Sequence, residues 1–101
     1  MTACLNNIGY IYRMQKDYSR ALSYYNRSLV IARQMDDKAF LATTLSNIGK
    51  IHEAENNFTQ ALSHYEQALK LVRDIDDKDL EARVLNNSRL LKEHLGKIQG
   101  Q

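Results

Sequence analysis

Apolar residues recur along this chain at helical intervals almost from its first residue. Leu5, Ile8 and Tyr12 stand at i, i+3 and i+7, and Tyr18, Ala21, Leu22, Tyr25, Leu29 and Ala32 carry a second stripe. That spacing gathers the apolar side chains on one face of an α-helix. The pattern predicts five helices, near 2–14, 18–34, 38–54, 58–74 and 78–95, separated by very short punctuation. Proline, the strongest helix breaker, is absent. No Gly/Ser linker or low-complexity tract interrupts the run, so the chain reads as one all-α domain. Asp17 and Asn57 are placed to cap the second and fourth helices, because a short side-chain oxygen can accept the orphan N–H groups of a first turn. The stretches "MDDK" and "IDDK" bring Asp36–Asp37 and Asp76–Asp77 to the next helix starts, where carboxylates suit the positive end of the dipole.

The pattern also repeats. "LNNIG" at 5–9 returns as "LSNIG" at 45–49 and, altered, as "LNNSR" at 85–89. Residues 2–41 set on 42–81 without a gap give 14 identities in 40 positions, among them Asn7/Asn47, Gly9/Gly49, Ala21/Ala61, Tyr25/Tyr65 and Asp37/Asp77. Each unit holds two helical stripes. The organisation expected is repeat one over 2–41, repeat two over 42–81, and a capping helix or truncated third repeat over 82–101.

These residues resemble the tetratricopeptide repeat. The family's small residue in the first helix is matched by Gly9 and Gly49, its Ala in the second helix by Ala21 and Ala61, and its later aromatic by Tyr25 and Tyr65. Tyr12 fills the usual aromatic position, and His52 replaces it in repeat two. Two departures stand out: Arg33 and Arg73 occupy the place of the closing Pro, and the period is 40 rather than the family's usual ~34. Six extra residues add about 9 Å of helix. Such long repeats look like those of kinesin light chains, Pins-type polarity adaptors and bacterial quorum-sensing peptide receptors. The resemblance implies a right-handed superhelical stack of antiparallel helix pairs, with two full repeats plus a terminal helix, and a protein-binding role without catalysis.

Glycine inside a helix costs roughly 0.5–1 kcal/mol relative to Ala, so it belongs only where packing demands it. At Gly9 and Gly49 the expected demand comes from each repeat's own second helix. Arg89 stands at the third such position, and Ser88 and Arg89 together suit a face that meets water, as a solvating cap does. A competing reading aligns "HLGKIQGQ" with "MQKDYSRA" and sets Ile98 where Tyr18 and Phe58 stand, as if a third repeat were beginning. At the other end, Cys4 and Ile11 fall on the buried arc of the first helix. That helix has no neighbour before it, so these two are candidates for partial exposure and end-to-end self-association.

At 100° per residue Asn7 lies about 160° from Leu5, with Asn6, Tyr10 and Met14 beside it. The equivalent faces carry Ser46, Asn47 and Lys50, then Arg83, Asn87 and Leu90. The resemblance puts first helices on a concave surface, which would make the three Asn a ladder along a groove. An Asn amide offers an acceptor and a donor together and so complements one peptide unit of any sequence. In the long-repeat families named above, Asn at this position grips a ligand backbone, and that role carries over to Asn7, Asn47 and Asn87. Tyr10, Lys50, Arg83 and Leu90 are the candidates for side-chain selection; with Arg13 and Glu53 they point to an acidic or mixed-charge peptide. The competing role for the Asn residues is to bond the adjacent repeat and fix its register.

Composition narrows the remaining classes. Fourteen Lys and Arg against twelve Asp and Glu leave a net charge of +2 with the signs interspersed, so no basic stripe for nucleic acid is expected. No apolar run is long enough to span a membrane. The single cysteine cannot form an internal disulfide, and a cytoplasmic location is the expectation. His52, His64 and His94 lack metal-ligand spacing, no glycine-rich phosphate loop occurs, and the Asp pairs suit helix starts, so neither metal, cofactor nor catalytic residue is expected. Three roles stay open: a groove that binds a peptide, an assembly element that forms a homodimer through its end helices, or a sensory segment of a larger signalling protein.

Overall fold

The computed structural model describes residues 2–98, with side chains described for 5–96. Five helices follow one another: α1 Thr2–Met14, α2 Tyr18–Met35, α3 Lys38–Ala54, α4 Phe58–Ile75 and α5 Lys78–Ile98. Two kinds of connector join them. Within a repeat three residues make the turn, with Lys16 at φ 64° and Asn56 at φ 66°. Asp17 N–H donates to Tyr12 O at 2.9 Å and Lys16 N–H to Arg13 O at 2.9 Å, which satisfies carbonyls at the end of α1. Between repeats two residues suffice. Asp36 takes the left-handed conformation at φ 54° and donates to Ala32 O and Arg33 O, while Asp37 accepts from Phe40 N–H at 3.1 Å. Asp76 and Asp77 repeat the division, with Asp77 accepting from Leu80 N–H at 3.1 Å.

The Asp pairs therefore do not both serve a helix start. The first member of each closes the preceding helix, where Asp tolerates positive φ better than most side chains, and only the second caps the next one. Asp17 caps α2 through Arg20 N–H at 3.2 Å. Asn57 stands at the expected place before α4 but makes no side-chain cap bond.

Each helix packs antiparallel on its neighbour in chain order, and α3 also touches α5. Ala21, Tyr25, Ile48 and Ile51 form the core between repeat one and α3. Ala42, Leu45, Ala68, Leu69, Val72, Leu80 and Val84 form the centre of the stack, and Ala61, Tyr65 and Leu91 lock α4 to α5. The small residues are what let these helices approach. A Cβ added at Gly9 would lie 2.7 Å from Tyr25 Cε1, and one at Gly49 2.7 Å from Tyr65 Cε1. The glycine demand thus arises within each repeat, from the aromatic of its own second helix.

One expectation needs correction. Ser88 is not a solvating residue: it is 2% exposed, because it occupies the position of Ile8 and Ile48 and that arc of α5 lies against the stack. Arg89 is exposed as expected and bonds Asn86 Oδ1 at 3.0 Å. α5 stays helical through 95–97, where the equivalent residues 15–17 and 55–57 turn. Continuing the helix keeps Leu95 on the cluster with Phe58 and Leu62. Ile11 is 54% exposed while its equivalent Ile51 is fully buried, because Ile51 has α2 to pack on and α1 has no helix before it here. The side chains of Cys4 and Ile98 lie outside the described residues.

Candidate functional site

The faces of α1, α3 and α5 turned away from the core carry the three ladder residues. Asn7 is exposed, and Asn47 and Asn87 are half-buried. Asn7, Asn47, Tyr10 and Arg83 line one open cleft of about 720 Å3, which extends to Asp37 and Asp77 at the starts of α3 and α5. Lys50, Asn87 and Leu90 line a second recess of about 280 Å3 together with Arg13, Glu53 and Tyr65. Tyr10 and Leu90 keep about half of their surface open, 50% and 51%. Asn47, Lys50, Arg83 and Asn87 come together again around a smaller cavity of about 170 Å3.

The amides are not equivalent. Asn87 Nδ2 donates to Ser46 Oγ at 3.0 Å, a bond between α5 and α3 that ties adjacent repeats. Ser46, assigned by rotation to the same open face, is buried at that junction. Asn6 Nδ2 reaches Thr44 Oγ1 at 3.4 Å and plays a similar part between α1 and α3. The residue beside the ladder position thus makes the inter-repeat bond in repeat one, and the ladder residue itself makes it at α5.

Several contributors to these walls went unrecognised in the sequence. Asp37 and Asp77 had been accounted for as helix-start residues, yet both also edge the cleft. Tyr65 belongs to the α4–α5 core. Its ring is buried under Gly49, but its Oη donates to Glu53 Oε1 at 2.8 Å and forms part of the second recess. Burial and then that bond raise its pKa far above the ordinary phenol value. The signal that could have found it is the neighbouring acid Glu53, which stands where repeat one has Arg13.

Charge in the groove is uneven. Burial first, then the guanidinium groups of Arg13 and Arg83, hold the Lys50 ammonium below its ordinary pKa, with Glu53 opposing. On the other side of the hairpins, Tyr12 stacks on Tyr24 at 5.6 Å in repeat one, and His52 faces His64 at 5.1 Å in repeat two. Among the described residues no group of three His, Cys, Asp or Glu could hold a metal ion, and no helix is long and apolar enough to cross a membrane.

A family model described as tetratricopeptide repeat matches residues 1–74 and, in a second overlapping placement, 40–97. The second placement starts 39 residues after the first, within one residue of the 40-residue spacing. No curated protein matches the chain. Tetratricopeptide repeats are generally protein–protein interaction modules and typically non-catalytic scaffolds. The chain, with its paired helices, its helix-contact glycines and two family matches that span nearly its whole length, belongs to the tetratricopeptide repeat family.

Proposed function

We propose that this chain is a non-catalytic module that holds a peptide or protein segment in the groove formed by α1, α3 and α5. The observation that carries the reading is that Asn7, Asn47, Tyr10 and Arg83, contributed by three successive first helices, border one continuous open cleft. An extended segment advances about 3.3 Å per residue, and first helices of adjacent repeats pack at roughly 9–10 Å. A ladder amide therefore meets the ligand backbone about every third residue. Each such bond adds about 0.5–1.5 kcal/mol, so useful affinity requires side-chain contacts as well. Tyr10, Lys50, Arg83 and Leu90 supply these, in the manner of the long-repeat arrays of kinesin light chains, Pins-type adaptors and quorum-sensing receptors that this chain resembles.

Asn47 is the ladder residue best suited to test the reading, because Asn87 is already committed to Ser46. Peptides selected from a random display library should bind Asn47→Ala at least fivefold more weakly while its melting temperature stays within a degree or two of the parent. A large fall in melting temperature with little change in binding would assign the amide to register instead. The Asn7/Asn47/Asn87 triple variant should lose capture almost wholly.

The exposure of Ile11, against complete burial of Ile51, favours a second reading, in which the open face of α1 docks a further helix pair and the module serves assembly. Sedimentation separates the two: assembly raises the mass with protein concentration, whereas a groove binder stays at one mass until peptide is added.

A further inference from the structure

Three cations from three helices open into one small cavity. Arg13 near the end of α1, Lys50 within α3 and Arg83 near the start of α5 all line the recess of about 170 Å3. In repeat register they fall at different heights of one helical face, since Lys50 lies 37 residues after Arg13 and Arg83 lies 33 after Lys50, short of the 40-residue period by about one and two turns. Their convergence comes from the axial offset between successive first helices.

Among the described residues none of the three forms an ion pair. The salt bridges among the described residues use Arg20, Lys38, Arg73, Lys78 and Lys92. Arg13 Nε makes no hydrogen bond of good geometry, but its guanidinium faces the buried Tyr25 hydroxyl. Burial raises that phenol's pKa, and the guanidinium opposes the rise by charge and hydrogen bonding. The guanidinium also lies 5.1 Å from the Tyr10 ring centroid, a contact that stabilises the charge without neutralising it. The carboxylate nearest Lys50 on its own helix, Glu53, already accepts from Tyr65 Oη. Arg13 and Lys50 are half-buried and Arg83 is exposed, and like charges gathered at a half-buried site cost stability unless an anion completes them.

From this geometry we propose that the Arg13–Lys50–Arg83 recess binds a doubly charged tetrahedral oxyanion, a phosphate. Donors arriving from three helices match three oxygens of a tetrahedron, whereas a planar carboxylate presents two. With Glu53 counted, the recess carries two net positive charges, which suits a phosphate group of about −1.5 to −2 at neutral pH. Its volume equals that of about five or six waters at ~30 Å3 each, enough for the anion and part of its hydration. Asn47 in the same lining adds an amide N–H donor, while the Asn87 amide is already given to Ser46. The phosphate arrives either free or on the side chain of a phosphorylated segment; only the second source rests on the groove-binding reading above.

The test titrates inorganic phosphate and, separately, acetate into the 15N-labelled chain at fixed ionic strength, following the Arg13 Nε–H and the Lys50 and Arg83 amides. Saturable shifts with phosphate, at least tenfold tighter than with acetate, are expected. Lys50→Ala and Arg83→Ala should each weaken binding at least tenfold, Arg83→Lys less, and Arg73→Ala, whose partner is Glu81, not at all. Melting in chloride alone verifies that each variant folds. Absence of a saturable phosphate response, equal response to acetate, or equal loss in Arg73→Ala overturns the proposal. Phosphoserine versions of display-selected peptides that displace phosphate identify the ligand as a phosphorylated segment. Phosphate binding with no peptide capture upholds the site and removes the groove reading, and peptide capture with no phosphate response does the reverse.

Discussion

Gly49→Ala sets two well-measured effects against each other. Alanine is favoured over glycine in a helix interior by about 0.8–1.0 kcal/mol, so on local grounds the variant should be more stable. The structure opposes this. The added Cβ would lie 2.7 Å from Tyr65 Cε1, 2.9 Å from Tyr65 Cδ1 and 3.3 Å from the Ala61 carbonyl oxygen. Tyr65 is fully buried and pinned through its hydroxyl to Glu53, and the Ala61 carbonyl belongs to the α4 backbone, so neither side yields freely. Overpacking of this kind costs about 1–3 kcal/mol, and a stretched Tyr65–Glu53 bond adds up to about 1.5 kcal/mol. The net expectation is a loss of about 1–2 kcal/mol, a fall in melting temperature of roughly 5–15 °C for a domain of this size. Gly9→Ala meets Tyr25 at the same 2.7 Å, but there the close atoms are all Tyr25 side-chain atoms, with no backbone carbonyl among them, so the loss should be smaller. Gly96→Ala is the internal control: no atom lies within 4 Å of its Cβ position, and the helical gain should appear undiminished except by its nearness to the end of α5. Urea and thermal unfolding followed by circular dichroism read all three. A Gly49→Ala protein as stable as the parent, beside a Gly96→Ala protein that gains, would refute the close-approach account.

Two further predictions concern the buried aromatics and the histidines. Tyr65→Phe removes a bond to a carboxylate and should cost about 1–2 kcal/mol, whereas the Tyr25 hydroxyl faces the Arg13 guanidinium without a well-formed bond, so Tyr25→Phe should cost less; urea midpoints compare them directly. His52 is held below its ordinary pKa, first by burial and then by His64, with Glu55 opposing. A depressed histidine pKa means that the unfolded chain takes up the proton first, so stability is complete above about pH 6.5 and falls as pH drops below it. Replacing both residues by Tyr, to copy the Tyr12–Tyr24 stack, should flatten stability between about pH 7.5 and 5.5; an unchanged slope would place the proton elsewhere.

The helices, their period and the need for two glycines were legible in the sequence, because each rests on short-range rules: the 3.6-residue turn, the cost of glycine in a helix, and caps within a few residues. The end of α5 was legible only in part, since the turn expected after residue 95 gave way to helix once Leu95 found Phe58 and Leu62. Rotation alone set the Asn face opposite Leu5, and on that face Asn7 is exposed while Asn47 and Asn87 are half-buried. What rotation cannot supply is the relation between helices far apart in the chain. Ser46 and Ser88 are buried, and Ile11 exposed against Ile51, because of which neighbour lies opposite, not because of their own helices. The meeting of Arg13, Lys50 and Arg83 is of the same kind. Local sequence fixes the angle at which a side chain leaves its helix. The height at which neighbouring helices slide past one another is set by how their apolar stripes interlock, and that only the tertiary structure decided.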